Sequence, residues 1–326
     1  MRFGTYVAKD EKPNTIKRCI ESAVRAEKLG YDSIVMGDSV NGPDTYMILA
    51  QIAAATTKLM IGSGLTNPFV RHPVLVAGLA ASLCEIAPGR ARMGIVRGPA
   101  GRPGDVLGLR IQKPITGVVE AIKIIKELLS TGKIDFTGQV FPKVEYELGL
   151  SAPVDIKVVV TTSGPKMARA VGEVADGIMS PIGTKKYEEN LLAKFREGQR
   201  AVGLEGRPHE FIRMLPVIIS DDEDESLKLA KPAVARFIAN RPPAVQVMME
   251  LEPSMIAGIK EAGNDNEKLI ELIPDWLARE LSICGTAETA LQSIYELEAK
   301  GVTELILFRS TESILQTFSE KILPAF

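Results

Sequence analysis

The feature that most constrains this chain is a rhythm. Eight short apolar runs occur in order, and each is followed by a segment with helical spacing. The runs are "RFGTYV" at 2–7, "DSIVMGDS" at 32–39, "LMIGSG" at 59–64, "ARMGIV" at 91–96, "IKVVVTT" at 156–162, "DGIMSP" at 176–181, "EFIRMLPVIIS" at 210–220 and "TELILFR" at 303–309. The first intervening segment places Ile16, Ile20, Ala23 and Val24 on one face, with Asn14 suited to start the helix and Gly30 to end it. Asp44 is suited to cap the second helix, and Pro73 sits where a third begins. Eight strand–helix units predict a (β/α)8 TIM barrel in preference to an open sheet.

Two stretches interrupt the alternation. Residues 134–154 alternate polar and apolar and contain turn residues, which predicts a hairpin insertion after the fourth helix. Residues 240–283 are helical but irregular, broken at "NRPPAVQ" and "GNDNEKL", and form a second insertion before the last helix–strand unit. A length of 326 residues suits one barrel spanning 1–326 as a single domain.

Charge and composition narrow the partners. The formal charge is −2, so no field for nucleic acid or an anionic membrane is built in. No apolar run reaches membrane-spanning length, and the N-terminus lacks a secretory apolar stretch. Cys19, Cys84 and Cys284 are scattered, which fits buried thiols in a reducing cytoplasm. A small-molecule substrate is the expected partner.

In such a barrel, ligands meet the carboxyl ends of the strands. That directs attention to Asp38, to Gly64 through Asn67, to Arg97 through Asp105, to Thr161 through Lys166 and to Ser180 through Gly183. His72 and His209 have no acidic or Cys neighbour at ligand spacing, so no metal site is expected. "GSG" at 62–64 begins like a dinucleotide loop, but Asn67 and Pro68 follow and no helix starts before Pro73. The stronger anion signal is "TTSGPK" at 161–166. A strand ends there and a helix opens at Pro165, so the N–H groups of Ser163 and Gly164 and the helix N-terminus are suited to a phosphate.

With these pieces assembled, the chain resembles the bacterial-luciferase-like superfamily. The resemblance is carried by "TTSGPKMARAVGEVADG", "RFGTYV", "YDSIVMGDS", "IGSGLTNPFVRHP", "TGQVFPK" and "CGTAETALQSIYELEAKGVTELIL". "GLTNPFVRHP" is most similar to the F420-dependent branch that contains methylenetetrahydromethanopterin reductase. The resemblance implies a coenzyme F420-dependent oxidoreductase that passes a hydride between the deazaflavin and a small organic acceptor, such as a methylenetetrahydromethanopterin-like one-carbon carrier. An FMN-dependent monooxygenase or reductase, and a non-catalytic flavin-binding barrel, are the alternatives. A homodimer or higher homo-oligomer is also implied.

The resemblance further implies residue roles. A bulge with a cis peptide at Gly64–Leu65 would back the cofactor ring. Asp38 would lie near the ring's polar edge. Thr66, Asn67, Arg97 and Gly98 would approach the ring or its ribityl chain, and Thr162, Ser163, Gly164, Pro165 and Lys166 would hold the phosphate. The family's usual acids are missing. Tyr6 stands where methanopterin reductases carry Glu, Ser39 where related dehydrogenases carry His, and "RGPAGRPGD" where they carry Glu. Tyr6, Asp38 and Asp105 remain as candidate proton donors or acceptors, with no catalytic residue assigned.

Overall fold

The structure is a computed structural model that describes residues 1–8, 15–38, 42–98, 107–109, 111–149, 153–181 and 183–326. Asn14, Ser39, Arg102 and Asp105 lie outside the described residues. Among those described, the strands are β1 (Arg2–Tyr6), β2 (Ser33–Met36), β3 (Met60–Thr66), β4 (Ala91–Val96), β5 (Lys133–Phe136), β6 (Val144–Glu147), β7 (Lys157–Thr161), β8 (Gly177–Pro181), β9 (Glu210–Leu215), β10 (Val217–Ile219), β11 (Ile283–Gly285) and β12 (Glu304–Leu307). Eight of them close a parallel barrel in the order β1, β2, β3, β4, β7, β8, β9, β12. The chain is therefore the (β/α)8 barrel its rhythm predicts.

The local choices follow from sequence. Asp44 accepts from the N–H groups of Tyr46 and Met47 and starts helix Thr45–Ala55. Pro73 occupies the first turn of helix Pro73–Ile86, and the His72 ring accepts from Val74 N at 3.3 Å. β5 and β6 pair antiparallel as the hairpin after the fourth helix, and Glu120 accepts from the backbone N–H groups of Gln139, Val140 and Phe141 to seat it. No helix is long and apolar enough to cross a membrane among the described residues.

One expectation is corrected. The run 210–220 reads as one strand, but Pro216 divides it. Proline lacks the N–H that a ladder needs, so the barrel strand β9 ends there. β10 leaves the barrel and pairs in parallel with β11, a strand that the irregular run to 283 conceals. Between them lie helices Glu223–Ala239, Pro243–Met248, Pro253–Ala262, Asn266–Leu272 and Asp275–Leu281.

Side chains inside the barrel sort by height. Arg2, Ser33, Arg92, Lys157, Glu210 and Glu304 are first or second residues of their strands, so they collect at the amino-terminal end. Arg92 meets Glu304 at 2.6 and 2.9 Å and Glu210 at 3.0 Å. Ser33 adds a bond to Glu304 at 2.5 Å, and Arg2 and Lys157 each reach Glu210 at 2.9 Å. Burial works to raise Glu210, but Arg92, Arg2 and Lys157 overcome it and hold the carboxyl at about 2. Above this layer sit Val35, Val159, Met179, Ile212, Met214 and Ile306, with Tyr6 and Phe308 packed on them toward the carboxyl ends.

Candidate functional site

The site is organised by an irregularity in β3. Its register with β4 steps from Ser63 opposite Met93 to Thr66 opposite Ile95, so three residues on one strand span two on the other. The extra residue is a bulge, and it falls at Gly64–Leu65. β4 accommodates it at Gly94. A Cβ there would lie 2.1 Å from Ser63 O and 2.8 Å from Gly64 Cα, a separation no side chain tolerates.

Three groups fix the bulge. Thr161 Oγ1 donates to Gly64 O at 2.8 Å. The Tyr46 hydroxyl, behind the strand, shares a hydrogen bond with Thr66 Oγ1 at 2.7 Å and approaches Ser63 Oγ at 3.3 Å. Burial pushes the Tyr46 phenol up to about 12, so it serves as a neutral hydrogen-bonding group. The side chain of Thr66 is thereby committed away from the barrel mouth. Leu65 is the half-exposed residue among buried neighbours. Its Cδ1 reaches within 3.5 Å of where a Cβ on Gly37 would stand, and the Tyr6 hydroxyl lies 2.7 Å from the same point. Gly37 thus leaves a gap in which Tyr6 and Leu65 converge, and the Tyr6 ring is held edge-on to Phe308 at 5.1 Å.

Asp38 follows Gly37. Its side chain is 4% exposed, and both its oxygens accept from Arg71, at 2.8 and 3.1 Å. Arg71 continues to Asp44 at 2.5 Å and lies over the Tyr46 ring, 5.3 Å from its centroid. The hydrogen bond it donates to Asp38 raises the Arg71 guanidinium's affinity for its proton, against the effect of burial. The carboxylate at 38 is placed as an acceptor already in use. Asn67 ties the exit of the bulge to the next strand, donating to Arg97 O at 3.0 Å and accepting from Phe69 N at 2.9 Å. Gly98 turns the chain after β4 with φ +81°, a conformation that favours glycine.

The turn from Thr162 to Lys166 offers donors, though not all those expected. Gly164 N–H is used by Thr162 Oγ1 at 3.1 Å. No side chain caps helix Pro165–Gly172, and its first intrahelical bond is Ala168 N to Gly164 O. Among the described residues the N–H groups of Lys166 and Met167 take no hydrogen-bond partner, as the first turn of a helix leaves them, and such donors suit an anion. Tyr187 OH donates to Ser163 O and steadies the turn from the side. Lys166 is exposed. His72 serves as a helix cap set edge-on to Phe141, and His209 sits before β9 beside Phe195, at the opposite end from the mouth. No group of His, Cys, Asp or Glu that could hold a metal occurs among the described residues.

Arg71, Tyr46, Gly94, Gly37 and Phe308 escape sequence reasoning, and Thr161, though singled out at a strand end, is missed as a prop of the bulge. Only Gly94 leaves a local signal, a lone glycine within the strand "ARMGIV" that marks a close backbone approach. The others act through partners more than 20 residues away or from a different element.

Residues 1–304 match the model of a family described as luciferase-like monooxygenase. A 5,10-methylenetetrahydromethanopterin reductase of Archaeoglobus fulgidus is 26% identical over 94% of this chain and 92% of its own. An F420-dependent glucose-6-phosphate dehydrogenase of Kribbella flavida is 25% identical over 94% of this chain and 92% of its own. The solved structure of a coenzyme F420-dependent tetrahydromethanopterin reductase from Methanopyrus kandleri superposes with a TM-score of 0.86 at 25% identity, covering 100% of this chain and 99% of that one.

Proposed function

The chain belongs to the luciferase-like monooxygenase family, and we propose on that premise that it is a coenzyme F420-dependent oxidoreductase. Its acceptor is a small organic molecule, with a methylenetetrahydromethanopterin-like one-carbon carrier as the specific candidate. The observation that carries this reading is the bulge at Gly64–Leu65 in β3, paired with a helix N-terminus at Pro165 that no side chain caps.

The residues present fit such a cofactor. Lys166 and Met167 offer N–H donors for its phosphate, with Thr162 and Ser163 preceding them in the turn. Leu65, Gly64 and Gly37 form an apolar shelf suited to a flat ring, with Asn67 and the Arg97–Gly98 turn along its edge. When bound, the deazaflavin supplies the hydride. The chain's own work is to hold ring and acceptor in register and to exclude water, with Tyr6 and Phe308 walling one side of the mouth. Asp38 anchors Arg71 and so fixes the start of helix Thr45–Ala55 against the turn after β3.

Titration of the apo-protein with oxidised F420 and with FMN, followed by fluorescence, tests the reading. Micromolar or tighter F420 binding is expected; FMN binding with none for F420 overturns it. Leu65→Ala is expected to weaken F420 binding and slow hydride transfer together.

The oligomeric state is part of the same proposal. Helices Thr45–Ala55 and Pro73–Ile86 carry Glu85 as their only charged residue, and they expose Met47 at 65% and Leu75 at 64%. A second copy is the occupant proposed for this face, within a cytoplasmic enzyme. Sedimentation should give a dimer, and Met47→Lys with Leu75→Lys should give a monomer.

A further inference from the structure

Taking a guanidinium out of water without a counter-ion costs several kcal/mol, so buried arginines are normally paired. This chain follows the rule at three places. Arg92 has Glu210 and Glu304, Arg213 has Glu188, and Arg71 has Asp38 and Asp44. Arg241 breaks it. It follows helix Glu223–Ala239 and is half-buried; its backbone N–H donates to Ile238 O, but among the described residues its guanidinium makes no hydrogen bond or ion pair. Its guanidinium carbon lies 3.6 Å from the centroid of the Phe237 ring, which fixes the side chain. Burial lowers its proton affinity to about 10, and the Tyr187 phenol works in the opposite direction.

Tyr187 gives Arg241 its address. The Tyr187 hydroxyl donates to Ser163 O, and the ring packs on Gly183, where a Cβ would fall 2.4 Å from Cδ1. One tyrosine therefore touches the proposed phosphate turn, and its chain neighbour Lys186 pairs with Glu250, nine residues beyond Arg241, which brings that segment to the same helix start. We propose that Arg241 is an anion receptor beside the Thr162–Lys166 turn, taking a phosphate or carboxylate oxygen of a bound molecule through its planar N–H fork. This rests on reading that turn as the cofactor's phosphate site. The oxyanion comes either from the cofactor's tail or from the acceptor, and the chemistry of recognition is the same for both.

The test uses the full chain and Arg241→Met. Wild type and variant are titrated with F420 and with the deazaflavin truncated before its phosphate. KM is measured for an acceptor bearing a carboxylate, and melting is followed with inorganic pyrophosphate. Loss of one charged hydrogen-bonding contact is expected to weaken F420 binding about 10- to 100-fold and leave the truncated form unchanged. A comparable rise in the acceptor's KM with F420 affinity unchanged supports the receptor and assigns its anion to the acceptor. Pyrophosphate should raise the melting temperature of wild type but not of the variant, and Arg241→Lys should retain part of each effect. Equal values for wild type and Arg241→Met in all these measurements overturn the proposal. So does a ligand-free variant that melts lower, because a structural arginine would behave that way. Should wild type ignore F420 yet gain stability from pyrophosphate only through Arg241, the cofactor assignment fails and the receptor stands.

Discussion

The two ends of the barrel solve opposite problems. At the amino-terminal end, three cations and two carboxylates are packed together, and Arg92 is 1% exposed with its donors spent on Glu210 and Glu304. At the carboxyl end, among the described residues, no side chain caps the Pro165 helix and Leu65 stands half-exposed at a bulge, and the proposed receptor Arg241 has no counter-ion. Polar groups satisfied by one another make a plug, and polar groups left open make a receptor. The difference teaches where this chain holds stability and where it holds ligand-binding capacity.

The comparison breaks most severely at Arg92. Arg92→Met leaves Glu210 and Glu304 without the buried one of their two shared cations and should destabilise the fold by about 3–5 kcal/mol, read from urea unfolding. Acid should reach the same cluster. Glu210 is held at about 2, below its ordinary value of 4.5. Its contribution is therefore fully present above pH 4.5 and is lost as pH falls through about 2. The loss is on the order of 3 kcal/mol, measurable as a falling urea midpoint over that window. A midpoint that holds steady from pH 5 to 2 would count against the plug.

Nearer the mouth, effects on stability should shrink and effects on function grow. Gly94→Ala drives a methyl into Ser63 O and the Gly64 backbone. It should cost about 1–3 kcal/mol and also abolish tight F420 binding, because the bulge must move. Gly37→Ala displaces the Tyr6 hydroxyl from its gap beside Leu65. Stopped-flow oxidation of reduced F420 should slow about tenfold, roughly 1.4 kcal/mol of barrier, with the melting temperature nearly unchanged. Unaltered rates would separate Tyr6 from the reaction.

Much of the architecture was legible in the sequence because period and punctuation are local. Asp44, Pro73 and the hairpin after the fourth helix each announce themselves within a few residues. The split at Pro216 was readable in principle, since proline removes a ladder donor, but continuous apolar residues on both sides hid it. The site was harder. Asp38 and Asn67 stand out by position at strand ends, yet the partners that define them, Arg71 and the Arg97 carbonyl, arrive through the closure of the barrel. Arg241 could not be singled out at all, because what distinguishes it is the lack of a carboxylate partner among the described residues.

The small pair β10–β11 has a consequence for how such a chain can change. Val217–Ile219 and Ile283–Gly285 lie side by side, and Ser226 Oγ joins them, donating to Ile218 O and accepting from Gly285 N, both at 2.7 Å. The ends of the intervening helices are clasped at one point before the chain rejoins the barrel. Lengthening a loop whose ends are already fixed costs only about 0.6 kcal/mol per doubling. The segment that carries Arg241 is thus an interchangeable cassette: it can be redrawn for another substrate while the register of every barrel strand stays where it is.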